Sequence, residues 1–167
     1  MSPRQKAVLL LDQDFPDPSI PPMPDIDIQP LRNVHPDLTR NHEDWAVMQQ
    51  IKQRGGVDGL ITLDARMLNQ AKEMVVLKQA RLTLVVFEDT DNDPFVAAGL
   101  LMIHAPEIAR RLDRRKAELW ILRKPKASPQ NPWDRIELLA ARESLSPDRL
   151  MRRERIPARS VLRRHAT

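Results

Sequence analysis

Val8-Leu9-Leu10-Leu11-Asp12-Gln13-Asp14 and Gly59-Leu60-Ile61-Thr62-Leu63-Asp64 are two apolar runs that each end in a carboxylate. Short runs rich in Val, Leu and Ile, without the spacing of a helix face, read as strands buried on both sides. Residues 6–12 and 58–63 are therefore expected to be strands, with 82–87 (Leu-Thr-Leu-Val-Val-Phe) and 119–122 (Leu-Trp-Ile-Leu) as further members. Between them lie helical patterns. Asn41-His42-Glu43-Asp44 supplies a helix start and Gly55-Gly56 its stop. Met67, Leu68, Ala71, Met74, Val75 and Leu77 make an apolar face over 65–80, with Asp64 as its cap. Helices are also expected over 95–104 and, opened by Pro106, through Arg115.

Strands alternating with helices predict an α/β fold: a three-layer αβα sandwich around a mostly parallel sheet of about four strands. Pro16 through Pro36 holds seven prolines and reads as an extended loop with one short turn near 28–33. The domain should end at Arg123. Residues 124–167 then form a basic extension: a linker over 124–132 and two short helices, 133–144 and 147–155.

In a parallel α/β sheet the site lies outside the carboxyl ends of the strands, which places Asp12 and Asp64 together. Glu43 and Asp44, at a helix start, are the third acidic element, and Asp14 follows Asp12 by two residues. Converging carboxylates repel unless a cation lies between them, and an oxygen-only donor set suits Mg²⁺ or Mn²⁺. The acidic turn Asp89, Asp91, Asp93 lies on the same sheet edge and is a candidate source of a further ligand.

The 167 residues contain no cysteine, so disulfides, thiolate metal sites and cysteine catalysis are excluded. The four histidines lack zinc spacing, and there is no phosphate-cradling glycine motif and no Gly-x-Ser-x-Gly elbow. No membrane association is expected, the five apolar residues before Asp12 are too few for a signal peptide, and a cytoplasmic location follows. Charge is divided along the chain. Residues 1–106 carry 10 Lys/Arg against 15 Asp/Glu, and residues 107–167 carry 17 against 8. That division suits a protein that holds a cation at one place and a polyanion at another. Arg152 and Arg153 contribute to the basic region, and Trp133 is placed to stack on a base.

The strand Leu11-Asp12-Gln13-Asp14-Phe15-Pro16, the acidic helix start before Trp45, and Gly59-Leu60-Ile61-Thr62-Leu63-Asp64-Ala65-Arg66 together resemble the PIN domain, specifically PIN-like ribonucleases related to VapC-type toxins. The resemblance covers roughly residues 6–123. It implies a metal-dependent endoribonuclease acting on single-stranded RNA, with Mg²⁺ or Mn²⁺ as cofactor. It also implies the toxin of a toxin–antitoxin pair, so RNA, an antitoxin and a second copy of the chain are the candidate partners. Carried over, Asp12 matches the acid of the first strand, Asp64 the acid after Thr-x, and Glu43 or Asp44 the middle acid. One position departs: Arg66 stands where the family pattern has another Asp. A guanidinium there could hold a phosphate, and the alternative function is a PIN-like module that binds nucleic acid or protein without cleaving.

Overall fold

A computed structural model describes residues 6–15, 20, 22–39, 42–91, 93–123 and 127–157. Its centre is a six-stranded sheet in the order β2-β1-β3-β4-β5-β6. The strands are β1 (Ala7–Leu11), β2 (Ile26–Pro30), β3 (Gly59–Thr62), β4 (Thr83–Phe87), β5 (Glu118–Leu122) and β6 (Ala127–Gln130). All neighbours run parallel except β5 and β6. Helices cover both faces, so the α/β sandwich expected from the sequence is the fold.

The central strands β3, β4 and β5 are buried along their whole length. Because successive side chains point to opposite faces, each strand feeds two cores. Leu84 and Val86 face one core, built with α2 (Asp44–Arg54) and α3 (Ala71–Ala80). Val85 and Phe87 face the other, built with α4 (Pro94–Arg111). Gly59 pairs with Thr83 of β4 with no room for a side chain: a Cβ there would lie 2.0 Å from the Thr83 carbonyl oxygen. Neither backbone can withdraw without breaking the ladder. Gly59→Ala is therefore expected to destabilise the fold by about 2–3 kcal/mol, read as a lower denaturation midpoint in urea.

Two strands beyond the expected four lie at the sheet's edges. The segment taken as a proline-rich loop contains β2, whose Ile26, Asp27, Ile28 and Gln29 alternate apolar and polar. Its Pro30 ends an edge strand, where a missing donor costs little. The segment taken as a linker contains β6, the opposite edge, with Pro129 across from Trp120. After β2 come α1 (Leu31–Val34), a single turn matching the one expected there, and a 3-10 turn at Pro36–Leu38.

Two helix boundaries differ as well. The helix expected over 65–80 is a 3-10 turn, Ala65–Asn69, followed by α3, with Gln70 extended between them. Asp64 caps the first of these. Pro106 does not divide its region: α4 runs unbroken through it. The ring faces solvent, and only one intrahelical bond is forfeited. Leu101, Ala105, Ile108 and Ala109, all buried, hold the helix against the sheet on either side of it.

The C-terminal segment forms the two expected helices, α5 (Pro132–Arg142) and α6 (Pro147–Glu154). They pack on α3 and on each other, and Ile136, Leu139, Ala140 and Leu150 enter the same core as the sheet. The basic extension thus also carries part of that core. The start of the α2 region, Asn41, lies outside the described residues, as do Arg159, Arg163, Arg164 and His165.

Candidate active site

The chain passes from β1 to β2 on one side, then crosses to β3 on the other side of β1. That reversal opens a crevice beyond the carboxyl ends of β1 and β3, the usual place for a site in a doubly wound sheet. Asp12 and Asp64 follow those two strands. The Asp12 N–H donates to the Ile61 carbonyl at 2.8 Å, which fixes the two strand ends side by side.

Thr62 organises the pair. Its hydroxyl donates to Asp12 Oδ2 at 3.1 Å and accepts the Asp64 N–H at 3.1 Å. Asp12 Oδ1 accepts the Gln13 N–H at 2.7 Å. Asp12 is 7% exposed, and burial raises its carboxyl above the ordinary value, opposed by the Gln13 and Thr62 bonds. Asp64 behaves oppositely. Arg66 forks onto it, Nε to Oδ1 at 2.8 Å and a terminal nitrogen to Oδ2 at 2.7 Å, and holds it below the usual carboxylate range. The Arg66 N–H donates to Oδ1 as well, at 2.9 Å, so the contact doubles as a cap of the 3-10 turn.

Asp44 arrives from the first turn of α2, with Glu43 as the residue that starts the helix. Burial, then the charges of Asp12, Asp64, Asp14 and Glu43, push Asp44 up to about 6. The expected acids are thus close enough to act on one another. Asp14 belongs to this field as an exposed turn residue. Of the acidic turn, Asp93 serves to cap α4, accepting the Phe95 and Val96 N–H groups.

One acid of the cluster was not anticipated. Glu73, in the first turn of α3, is 1% exposed, and its Oε2 has no hydrogen-bond partner. Burial and then the Asp44 and Glu43 charges push it up to about 8. A signal for it exists in the sequence: Glu73 shares the helical stripe of Val76, Leu77 and Ala80, all buried. Lys72 beside it stacks over Trp45, 4.0 Å from the ring centroid.

The group these acids would accommodate can be judged from the donors. Every donor is oxygen, Glu73 offers an orphaned oxygen, and the carboxylates raise one another's affinity for protons; that chemistry fits a hard divalent cation. As placed, no three His, Cys, Asp or Glu side chains among the described residues stand close enough to share one ion. Both Asp64 oxygens are meanwhile held by Arg66.

The basic residues lie elsewhere. Trp133 packs partly buried on α5, donates its ring N–H to Glu137 at 2.6 Å, and has Lys78 over its face. Arg153 pairs with Glu143 and Glu154, and Arg152 is exposed on α6. A hollow of about 570 Å³ opens at the amino ends of β4 and β5, lined by Lys78, Arg81, Arg111, Arg115 and Lys116. It stands at the opposite end of the strands from the carboxylates.

Comparison with protein-family models, curated proteins and solved structures found no significant match to this chain.

Proposed function

We propose that the chain is a PIN-like, metal-dependent endoribonuclease with its reaction centre at the Asp12, Asp44, Asp64 and Glu73 crevice. The observation that carries the reading is the convergence of these acids at the sheet's topological switch point, with a buried carboxylate oxygen left without a partner. A buried carboxylate is costly; a proton offsets that cost in the metal-free chain, and a cation in the crevice would do so in the proton's place.

In this reading Asp12, Asp44 and Asp64 hold Mg²⁺ or Mn²⁺, and the ion, when bound, polarises a phosphodiester and acidifies a water. Thr62 keeps the Asp12 carboxylate turned toward Asp64. Glu73, protonated below about pH 8 without the ion, would add negative charge only where an ion displaced its proton. Arg66, were its fork on Asp64 released, would be the residue to hold a phosphate oxygen of a single-stranded RNA. A toxin role, an antitoxin partner and a cytoplasmic site of action are consistent with this reading and belong to the same proposal.

A second reading rests on the Arg66 fork. If the guanidinium serves in the cation's place, the crevice is a neutralised surface and the chain is a binding module. Labelled single-stranded RNA incubated with Mn²⁺, and in parallel with EDTA, separates the two. Cleavage with Mn²⁺ that EDTA abolishes supports the nuclease; binding without cleavage in both supports the module. Arg66→Ala is expected to raise Mn²⁺ affinity several-fold by calorimetry, because it frees Asp64 Oδ2 and leaves only the backbone N–H of residue 66 on Oδ1. Unchanged affinity would remove Asp64 from the ion's ligands.

A further inference from the structure

At the amino ends of the strands the surface carries more positive charge than the fold itself uses. Two hollows meet there. The smaller, of about 280 Å³, is lined by Lys52, Gly55, Gly56, Asp58, Arg81 and Arg114, among others. The larger is the hollow of about 570 Å³ beyond β4 and β5. Arg81 lines both, so they join into one groove across the ends of β1, β3, β4 and β5.

Seven cations line this groove against three acids. The acids are accounted for within the chain: Arg114 holds Asp58, Arg115 holds Asp113, and Lys116 lies 3.5 Å from Glu118. Lys78 stands over the Trp133 ring, and Arg111 is 3.7 Å from Glu107. Lys52 and Arg81 differ. Both are exposed, and neither side chain has an ion pair or a hydrogen bond among the described residues. Cations at such a place ordinarily complement helix C-termini, and α2, α3 and α4 all end at this groove. Each terminus carries about half a negative charge, so three of them do not offset a surplus of four cations.

Arg81 is also held at a cost. It follows α3 at φ 54°, in the left-handed region where glycine is usual. What an arginine adds there is a guanidinium at the junction of the two hollows. The chemistry that fits is a row of phosphates, because guanidinium and ammonium groups in series match anionic oxygens repeated along a chain. No aromatic side chain lines the groove among the described residues, so nothing in it stacks on a base. Gly55 and Gly56 leave the Lys52 side bare, with nothing within 4 Å of where a Cβ of either would lie.

We propose that the groove at the amino ends of the strands binds a linear oligophosphate, with Lys52 and Arg81 as its two uncommitted contacts. The site lies at the other end of the strands from the acidic crevice and does not depend on any nuclease activity.

Calorimetry of the full chain with inorganic tripolyphosphate, in EDTA so that no metal ion intervenes, tests it. The native chain should bind one tripolyphosphate in the micromolar range, and more weakly as salt rises. Arg81→Gly and Lys52→Ala should each weaken binding by about tenfold or more, the usual loss for a hydrogen bond between charged groups. Glycine suits the left-handed backbone at 81, so Arg81→Gly should unfold in urea close to the native midpoint, which separates a lost contact from a lost fold. Arg149→Ala, exposed on α6, should leave affinity unchanged. ATP should bind much as tripolyphosphate does, and adenosine should not bind. A native chain that binds no tripolyphosphate at millimolar concentration overturns the proposal. So does unchanged affinity in both Arg81→Gly and Lys52→Ala, or an equal loss in Arg149→Ala, which would mean diffuse charge. Adenosine that binds on its own, or single-stranded RNA that binds where tripolyphosphate does not, overturns it as well, in favour of a site that reads nucleosides or nucleic acid.

Discussion

Asp12→Asn should reduce Mn²⁺-dependent RNA cleavage by about 10³-fold or more, the equivalent of roughly 4 kcal/mol of transition-state stabilisation. The substitution removes a charge and keeps one of the two accepting oxygens, for the Thr62 hydroxyl or the Gln13 N–H, while the backbone bond from the residue 12 N–H to Ile61 keeps the strand ends together. Asp64→Asn should act similarly, with an added loss of the Arg66 fork. Burial already disfavours the Asp12 charge. The metal-free Asp12→Asn protein is therefore expected to melt at the native temperature or above. Single-turnover cleavage and thermal melting in EDTA check the two halves separately. A folded Asp12→Asn, Asp64→Asn double variant that cleaves at the native rate removes the crevice from the chemistry.

The second large effect concerns Glu73 and stability. Its carboxyl stands at about 8 in the folded chain, against an ordinary value near 4.5. The folded state therefore binds a proton that the unfolded state has released across that interval. The sign follows: the protonated group's contribution is fully present below about pH 4.5 and is lost as pH rises through about 8. Asp44, at about 6, adds the same trend over a lower window. Metal-free protein should be more stable near pH 5 than near pH 8. Glu73→Gln should abolish most of the difference, stabilising the chain by on the order of 3 kcal/mol at pH 8, or roughly 10 °C, and little at pH 5. Urea denaturation at both pH values measures it. Equal effects at the two values would assign Glu73 a packing role rather than an electrostatic one.

Much of the sheet was legible because β1, β3, β4 and β5 have strongly apolar sequences, which makes apolar runs unambiguous. The edge strands were not. β2 and β6 each contain a proline, which argues against a central strand and is tolerated on an edge where one row of donors faces outward. Pro106 misled for a related reason: local chemistry predicts a break, and tertiary burial on both sides of it outweighs one lost bond. That Asp12 and Asp64 end neighbouring strands was legible from the strand ends alone, with Glu43 and Asp44 left as alternatives at the helix start. Glu73 was not, since Lys72-Glu73 beside an apolar helix reads as a solvated edge until α2 is laid against it. For Arg66 the sequence left two uses open, a phosphate contact or a salt bridge across the acids; the structure has the bridge, onto Asp64, because a turn's geometry decides which oxygens a guanidinium reaches.

The separation of the acidic crevice from the arginine-lined hollow has a consequence for how the molecule moves. Carboxylates gather at the carboxyl ends of β1 and β3, whereas Lys78, Arg81, Arg111, Arg115 and Lys116 outnumber Glu118 around the hollow at the other end, an uneven placing of charge along the strand axis. In the field of a polyanion such a body feels a torque before it feels a contact, and it turns its cationic end forward. The crevice then trails on the far side of a sheet whose five-residue strands are about 17 Å long. Under the proposed nuclease reading, an anionic chain held at the cationic end would have to span that length to reach the crevice, and added salt, by shortening the field's range, would lessen the bias in orientation.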